Sequence, residues 1–328
     1  MQEPLFRKEF DAEVLLKQHP PQFQHSHKTA LFELAYPDGK VFPNSICVTR
    51  WSQAVPEMLS FSTPIKVDLR PDFYDYKPIG PGTEWHVNFA DPRLFVAYGS
   101  RLFAQDEMQV AEHPLLGSVR EGLLASGFSV ETTEGEIGTP ILLRNVERRL
   151  AISTHPDPNA GRPYGLYGNR FAQSPLDIVL QSTRRIEPPT ITNFIAMAAP
   201  SYGRGEYSRQ EIEFIFATAY TGFSAAILES KTSAETSQRT TVHTGFWGCG
   251  AFGGNRTLMV AIQVLAAKAA QINQMMFHAG DEDGMRDVRR GLDAAETIEF
   301  RCGPACSVDA LVAQTSEMGF RWGVGDGN

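Results

Sequence analysis

The run Thr240-Thr241-Val242-His243-Thr244-Gly245-Phe246-Trp247-Gly248-Cys249-Gly250-Ala251-Phe252-Gly253-Gly254-Asn255 sets a β-rich stretch, a loop with five glycines and a helix start one after another. Glycines let the backbone take positive φ and come close to a ligand. Unpaired amides and the dipole at a helix start favour an anion such as phosphate. A strand, a glycine loop and a helix also occur together merely to turn the chain tightly, so on pattern alone both a phosphate cradle and a packing turn stand open.

Working outward, residues 255–270 place Leu258, Ile262, Leu265 and Ala269 on one helical face. Upstream, residues 208–228 repeat apolar side chains at Ile212, Ile215, Phe216, Ala219, Phe223 and Ile227, and Ser208 followed by Glu211 reads as a capping-box start. A third helix is expected from about Asp283 to about Gly291. Short apolar runs at 86–90, 142–145, 150–153, 193–198, 240–244 and 274–279 read as strands. Strands alternating with longer helical segments from Trp85 onward indicate an α/β fold with a largely parallel sheet covered on both sides. Residues 1–84, rich in Pro and polar side chains, read as an accessory region whose best helix is 9–18. Residues 85–300 read as the core and 301–328 as a tail.

The chain has 328 residues, 42% hydrophobic and 21% charged, with a formal charge of -8. That balance is ordinary for a globular protein and argues against a dedicated nucleic-acid surface, which draws its affinity from Lys and Arg. No run of about 18 apolar residues suggests a membrane span, and the first residues lack a secretory h-region, so a soluble, cytoplasmic or otherwise intracellular protein is expected. Four cysteines, Cys47, Cys249, Cys302 and Cys306, are too few and scattered for a disulfide framework. Reduced thiols are expected; the C-x3-C pair at Cys302 and Cys306 could be bridged or bind metal, but without a nearby His that spacing carries little information. No metal site or cofactor is expected.

The string TGFWGCGAFGG resembles the T-G-N-W-G-C-G-A-F-G-G segment of the poly(ADP-ribose) glycohydrolase family. Phe277-His278-Ala279-Gly280-Asp281 and Met285-Arg286-Asp287 look like that family's F-x-F-G-D and M-R-D elements, and Ala219-Tyr220-Thr221-Gly222-Phe223 like its A-Y-x-G-F helix. Asn88-Phe89-Ala90-Asp91, followed by Gln105-Asp106-Glu107, resembles its D-F-A-N and Q-E-E motifs at the same spacing. The resemblance covers roughly residues 85 to 295. It implies a macrodomain-like three-layer α/β/α core with a mixed sheet and an N-terminal extension.

By the same resemblance, the substrate carries ADP-ribose, whether protein-linked, polymeric or small, and its diphosphate lies on the 245–254 loop through Gly245, Phe246, Gly248, Cys249, Gly250, Ala251, Phe252 and Gly253. Glu107 takes the place of the catalytic acid, Asp106 orients the ribose, Asn88, Asp91 and Gln105 contact the ligand, and Tyr167 occupies the position of an aromatic clasp. A ribosyl bond breaks through an oxocarbenium-like state, which needs a proton for the leaving oxygen and then a base for water. Adjacent, partly buried carboxyls raise each other's pKa and keep one protonated near neutrality. From charge pattern alone, Asp106 and Glu107 read rather as two solvated acids at a helix start near His113, and only the resemblance reverses that.

The chain departs from the family at informative points. Phe95-Val96-Ala97 stand where the family has three glycines, so side chains are expected to crowd the diphosphate end, with Arg101 a candidate substitute contact. The Asp and Asn of D-F-A-N are exchanged, Asp106 is one methylene shorter than Glu, and Phe246 replaces an Asn. The expected activity is hydrolysis of an ADP-ribosyl O-glycosidic bond. The alternatives are an ADP-ribose-binding macrodomain without turnover and a relative acting on another NAD-derived nucleotide sugar. His243 and His86 read as structural histidines, and Trp247 as packing beneath the loop.

Overall fold

The computed structural model describes residues 3–231 and 239–326. Its sheet strands, in chain order, are β1 (Pro4–Asp11), β2 (Ser45–Trp51), β3 (Lys66–Arg70), β4 (Thr83–Ala90), β5 (Ile141–Ile152), β6 (Thr183–Ala198), β7 (Thr240–Thr244) and β8 (Gln274–His278). They form one eight-stranded sheet in the order β1-β2-β5-β6-β4-β7-β8-β3. The pairs from β1 to β6 are antiparallel and those from β6 to β3 are parallel, so the sheet is mixed.

Side chains alternate across the strands as a period of two requires. Trp85 and Val87 of β4 join one core with Ile195, Met197 and Val242, while Ala90 joins a second core with Phe194 and Ala196. The first core is capped by α5 (Arg209–Lys231), α6 (Arg256–Ala269), α7 (Glu282–Cys302) and α8 (Val308–Ser316). The second is capped by α1 (Ala12–Gln18), α2 (Ser26–Ala35), α3 (Gln105–Glu112) and α4 (Leu115–Ala125). Helices on both faces make the expected three layers. α5 is long and apolar enough by composition to cross a membrane, yet it packs within the first core.

The capping box at α5 forms: the Ser208 amide donates to Glu211 Oε2 (2.7 Å) and the Glu211 amide to Ser208 Oγ (3.2 Å). At α6 the Asn255 side chain accepts from the Leu258 amide at 3.0 Å.

Four expectations are corrected. The 1–84 region is not accessory to the sheet, because β1, β2 and β3 supply both of its edges; its strands are separated by Pro-rich turns that mask them in the sequence. Within it, the expected helix 9–18 begins only at Ala12, and residues 9–11 close β1. The separate strands 142–145 and 150–153 are one strand, interrupted by register shifts near Asn145, which takes φ 62°; Asn tolerates that left-handed conformation. α7 runs through Gly291 to Cys302. A Cβ there would fall 2.4 Å from Cβ of Val260, so this glycine lets α7 lie against α6 instead of ending the helix.

The 301–328 tail is likewise structured over its described part. Ala305–Ser307 pairs with Met58–Ser60, α8 follows, and residues 321–326 run along the glycine loop. Cys302 and Cys306 are free thiols.

Candidate active site

The parallel strands β4, β6, β7, β8 and β3 all end on the same edge of the sheet, and the loops leaving those ends surround a cleft. Open α/β sheets place ligands at such an edge. The cleft has two compartments. A narrow one, about 180 Å³, is lined by Asp91, Val96, Ala97, Asp106, Glu107, Tyr202 and Phe252 among others. A wider one, about 890 Å³, is lined by Phe73, Tyr74, Gln109, His155, Phe246, Arg256 and His278 among others. Gly250, Gln105, Phe89 and Tyr167 line both, so the glycine loop lies at the junction.

The loop is held by its own short-range bonds. The Cys249 amide donates to Phe246 O (3.0 Å), Gly253 N to Gly250 O (3.1 Å) and Gly254 N to Gly248 O (2.9 Å). Gly248 takes φ +74°, and a Cβ there would lie 2.5 Å from Cβ of Ala199, so the turn demands glycine. Trp247 is buried beneath it and donates Nε1 to Met197 O at 2.9 Å, as expected. The amide of Asn255 at the helix start donates to the Tyr207 hydroxyl (2.9 Å) and is therefore not open to an anion. Among the described residues, the amides of Gly248, Gly250, Ala251 and Phe252 have no acceptor. These four are the donors that a diphosphate can use.

The acid pair opens α3. Both carboxyls are buried and line the narrow compartment. Glu107 Oε2 accepts from the Ala104 amide at 2.9 Å, which caps the helix and fixes the side chain. Asp106 Oδ1 accepts from Asn88 Nδ2 at 2.9 Å, and the same Asn88 amide donates to Gln109 Oε1 at 2.8 Å. Burial, then the charge of Glu107, pushes the Asp106 carboxyl well above the usual carboxylate range against the Asn88 bond. Burial also raises Glu107, opposed first by the charge of Lys28. Two solvated acids at a helix start is thus the wrong picture.

Asp91 lines the narrow compartment and accepts from the Arg93 amide at 3.0 Å. Gln105 lines the cleft as expected, whereas Asn88 is placed differently from the expectation. Asn88 is fully buried behind Asp106 and lines neither compartment. Gln105 spends both ends of its amide on β4, accepting from the Phe89 amide (2.9 Å) and donating to Val87 O (3.0 Å). Each anchors the acid pair to the sheet. Gly253 also lines neither compartment, since its carbonyl accepts from the Gly323 amide at 2.9 Å. Arg101 is exposed and outside the cleft.

The triple-glycine replacement resolves in an unexpected way. Phe95 takes φ 52° and turns its ring into the second core, while Val96 and Ala97 alone face the narrow compartment. The crowding expected from a phenylalanine is absent because the left-handed backbone sends it inward. Phe246 packs edge-on to Phe277 and carries the Arg256 guanidinium over its ring at 4.7 Å. Cys249 is held by burial as a thiol, its pKa far above the ordinary value.

Several groups in the cleft carry no sequence signal, because they are brought in from distant segments. Phe73 stacks on His155 (5.1 Å between centroids) at the wider compartment. Tyr202 faces Phe252 across the mouth. Lys28 of α2 is buried behind the acid pair, and burial brings its ammonium down to about 8 against the pull of Glu107 and Asp106. His243 bridges His278 and Glu84, each at 3.1 Å, with His86 stacked on it at 4.2 Å, which agrees with structural roles for the histidines on β4 and β7.

A family model described as "Poly (ADP-ribose) glycohydrolase (PARG), Macro domain fold" matches residues 164–286, the stretch from before Tyr167 through the glycine loop to α7. The fold is similar to that of poly(ADP-ribose) glycohydrolase from Thermomonospora curvata, at 14% identity over 88% of this chain and 85% of that one, TM-score 0.46. The inhibitor-bound form of that protein, with ADP-HPD, gives 14% identity over 82% and 99%, TM-score 0.48. The enzyme from Deinococcus radiodurans in complex with ADP-ribose gives 13% over 88% and 94%, TM-score 0.44. Through residues 164–286, the segment that carries its glycine loop, this chain is similar to the poly(ADP-ribose) glycohydrolase family of macro domain fold.

Proposed function

We propose that this protein is a glycosidase that hydrolyses an ADP-ribosyl O-glycosidic bond, with Glu107 as general acid and then general base. The observation that carries the reading is the adjacency of two unlike features at one strand edge: a glycine loop with four free amides, and a buried carboxyl pair in the compartment next to it. The diphosphate lies on the amides of Gly248, Gly250, Ala251 and Phe252. The sugar that is cut enters the narrow compartment beside Asp91, Asp106 and Glu107. The adenosine part occupies the wider compartment, against Phe73 and Phe246.

Burial raises the Glu107 carboxyl and so favours its protonated form, the form that acts as general acid. It gives that proton to the leaving oxygen as the C1″–O bond breaks, and the oxocarbenium-like sugar forms between the two carboxyls. The resulting carboxylate then takes a proton from water while the water oxygen bonds to C1″, which returns Glu107 to its starting state. Asp106, held by Asn88, orients the ribose hydroxyls. Tyr167 closes over the junction.

The test is turnover of ADP-ribosylated protein, polymer and small-molecule substrates by wild type and Glu107→Gln, beside calorimetric titration with ADP-ribose. Glu107→Gln is expected to lose about 10²-fold or more in kcat, the usual share of a general acid–base group, with ADP-ribose affinity within a few fold. Equal activity in both proteins removes the role of Glu107. Tight ADP-ribose binding with no turnover of any substrate by wild type makes the protein a binding module.

A further inference from the structure

Lys28 lies on α2, in the part of the chain farthest in sequence from the glycine loop, yet its side chain is buried. Its ammonium donates to Tyr98 O at 2.8 Å, and it lies 5.2 Å from the centroid of Phe103 and 5.7 Å from that of Phe171. Those two rings stack on each other at 4.0 Å. A buried lysine without a carboxylate in direct contact is costly, and cation–π contacts recover only part of that cost. The neighbouring negative charges are those of Glu107 and Asp106. Tyr98 belongs to the turn that begins at Phe95, whose Val96 and Ala97 face the narrow compartment. The same ammonium thus touches the turn that shapes the compartment and faces the acids that work in it.

We propose that Lys28 is a positioning residue for the acid pair: its buried ammonium pins the turn of residues 95–98 through the Tyr98 carbonyl and supplies the positive charge that faces Asp106 and Glu107. The proposal rests on the reading of Glu107 as acid and base. Its chemical content is a balance. Burial drives Glu107 toward the neutral acid that must donate, and Lys28 stabilises the carboxylate that must then accept from water. Without the cation, the second half of the cycle is the one that suffers.

The other charged groups around this centre leave Lys28 as the buried cation facing the pair. Asp91, from the end of β4, adds negative charge to both acids. Tyr167 faces Glu107 from its loop as a neutral phenol, raised by burial. Further along α3, Glu112 pairs with Arg148 of β5 at 3.0 Å, and His113 is bonded to Thr192 of β6. His25 feels the charges of both Lys28 and Arg101, and Arg101 is exposed.

The experiment compares full-length wild type with Lys28→Met, Lys28→Gln and Lys28→Arg. The amide of Gln keeps a donor for Tyr98 O without the charge, and Arg keeps the charge. Two readouts are taken: the pH profile of kcat, and the titration midpoint of the Glu107 carboxyl carbon by NMR in ligand-free protein. In both neutral variants the Glu107 midpoint is expected to rise by half a pH unit or more, and the kcat limb that reports it to move the same way. Lys28→Arg restores both.

In wild type, ionisation of Lys28 near pH 8 is expected to appear as a second inflection in the Glu107 signal, a readout that survives if the neutral variants do not fold. Reduced kcat with an unmoved limb and midpoint, or a wild-type Glu107 signal with no such inflection, overturns the proposal. A midpoint that moves in a protein with no turnover upholds the charge coupling while the hydrolase reading fails, so the two failures are distinct.

Discussion

The Tyr167 hydroxyl donates to Asp326 Oδ2 at 3.3 Å, joining the loop that carries the clasp residue to the C-terminal segment across the face of Gly250. The Asp326 amide also donates to Gly250 O at 3.3 Å, and the Gly323 amide to Gly253 O. The segment is anchored behind by Trp322, which stacks on Tyr207 at 4.3 Å. A carboxylate therefore stands beside the loop on which the proposed function lays an anionic diphosphate.

Neutralising that carboxylate is expected to help the ligand. Asp326→Asn should tighten ADP-ribose about two- to fivefold, the range of an exposed charge pair of about 0.5–1 kcal/mol, and the gain should shrink in high salt. Calorimetric titration at two salt concentrations checks this. Unchanged affinity at low salt would mean that the diphosphate passes elsewhere.

At Phe95 two effects oppose each other. Glycine at this position relieves a left-handed backbone worth about 1–2 kcal/mol, but it removes a fully buried ring whose loss costs about 3–5 kcal/mol. The cavity term wins, so Phe95→Gly should lower stability by roughly 2–3 kcal/mol in urea unfolding, although it recreates a family glycine. A neutral or stabilising result would show that the ring does not pack as described.

Asn88 sits where the family pattern has Asp, and here its amide is shared between Asp106 and Gln109. Asn88→Asp places a second carboxyl against one that burial already raises. Such a pair is tolerated while protonated, so the folded state holds extra protons and stability falls as pH rises. The variant should be close to wild type near pH 5 and progressively weaker toward pH 8. Thermal melts across that range decide it, and a deficit independent of pH would rule out the shared-proton account.

His278 gives the opposite slope. Burial, and then the charge of His243, lowers it to about 4, so the folded state keeps it neutral while an unfolded histidine takes a proton near 6.5. Between those values the unfolded chain binds more protons, and stability that is complete above pH 6.5 is lost as pH falls toward 4. The span corresponds to at most about 3 kcal/mol. His278→Gln should flatten the acid side of a stability–pH curve by up to that amount; an unchanged curve would assign the acid sensitivity to the more deeply buried His86 and His113.

The glycine loop, α5 and α6 were legible in the chain because each rests on local rules: positive φ at glycine, a Ser-x-x-Glu cap and a 3.6-residue apolar period. The acid pair was legible only as a motif. Its burial, and with it the raised pKa, comes from packing against β4 and from α2, neither of which leaves a mark on residues 105–107. Asn88 was read as a ligand contact because spacing identifies which residues share a motif and says nothing about which way an amide points.

What sequence periodicity and chemistry settled was the α/β class, the strand–glycine loop–helix unit and the position of the carboxyl pair at a helix start, since all three depend on neighbours within a turn or two of chain. What folding in three dimensions added was the placement of residues 4–70 at both sheet edges, the inward turn of Phe95, the tail over Gly250 and the cation behind Glu107. Those depend on contacts between segments tens to hundreds of residues apart. Desolvation and charge, which act through space, are settled only when such segments meet.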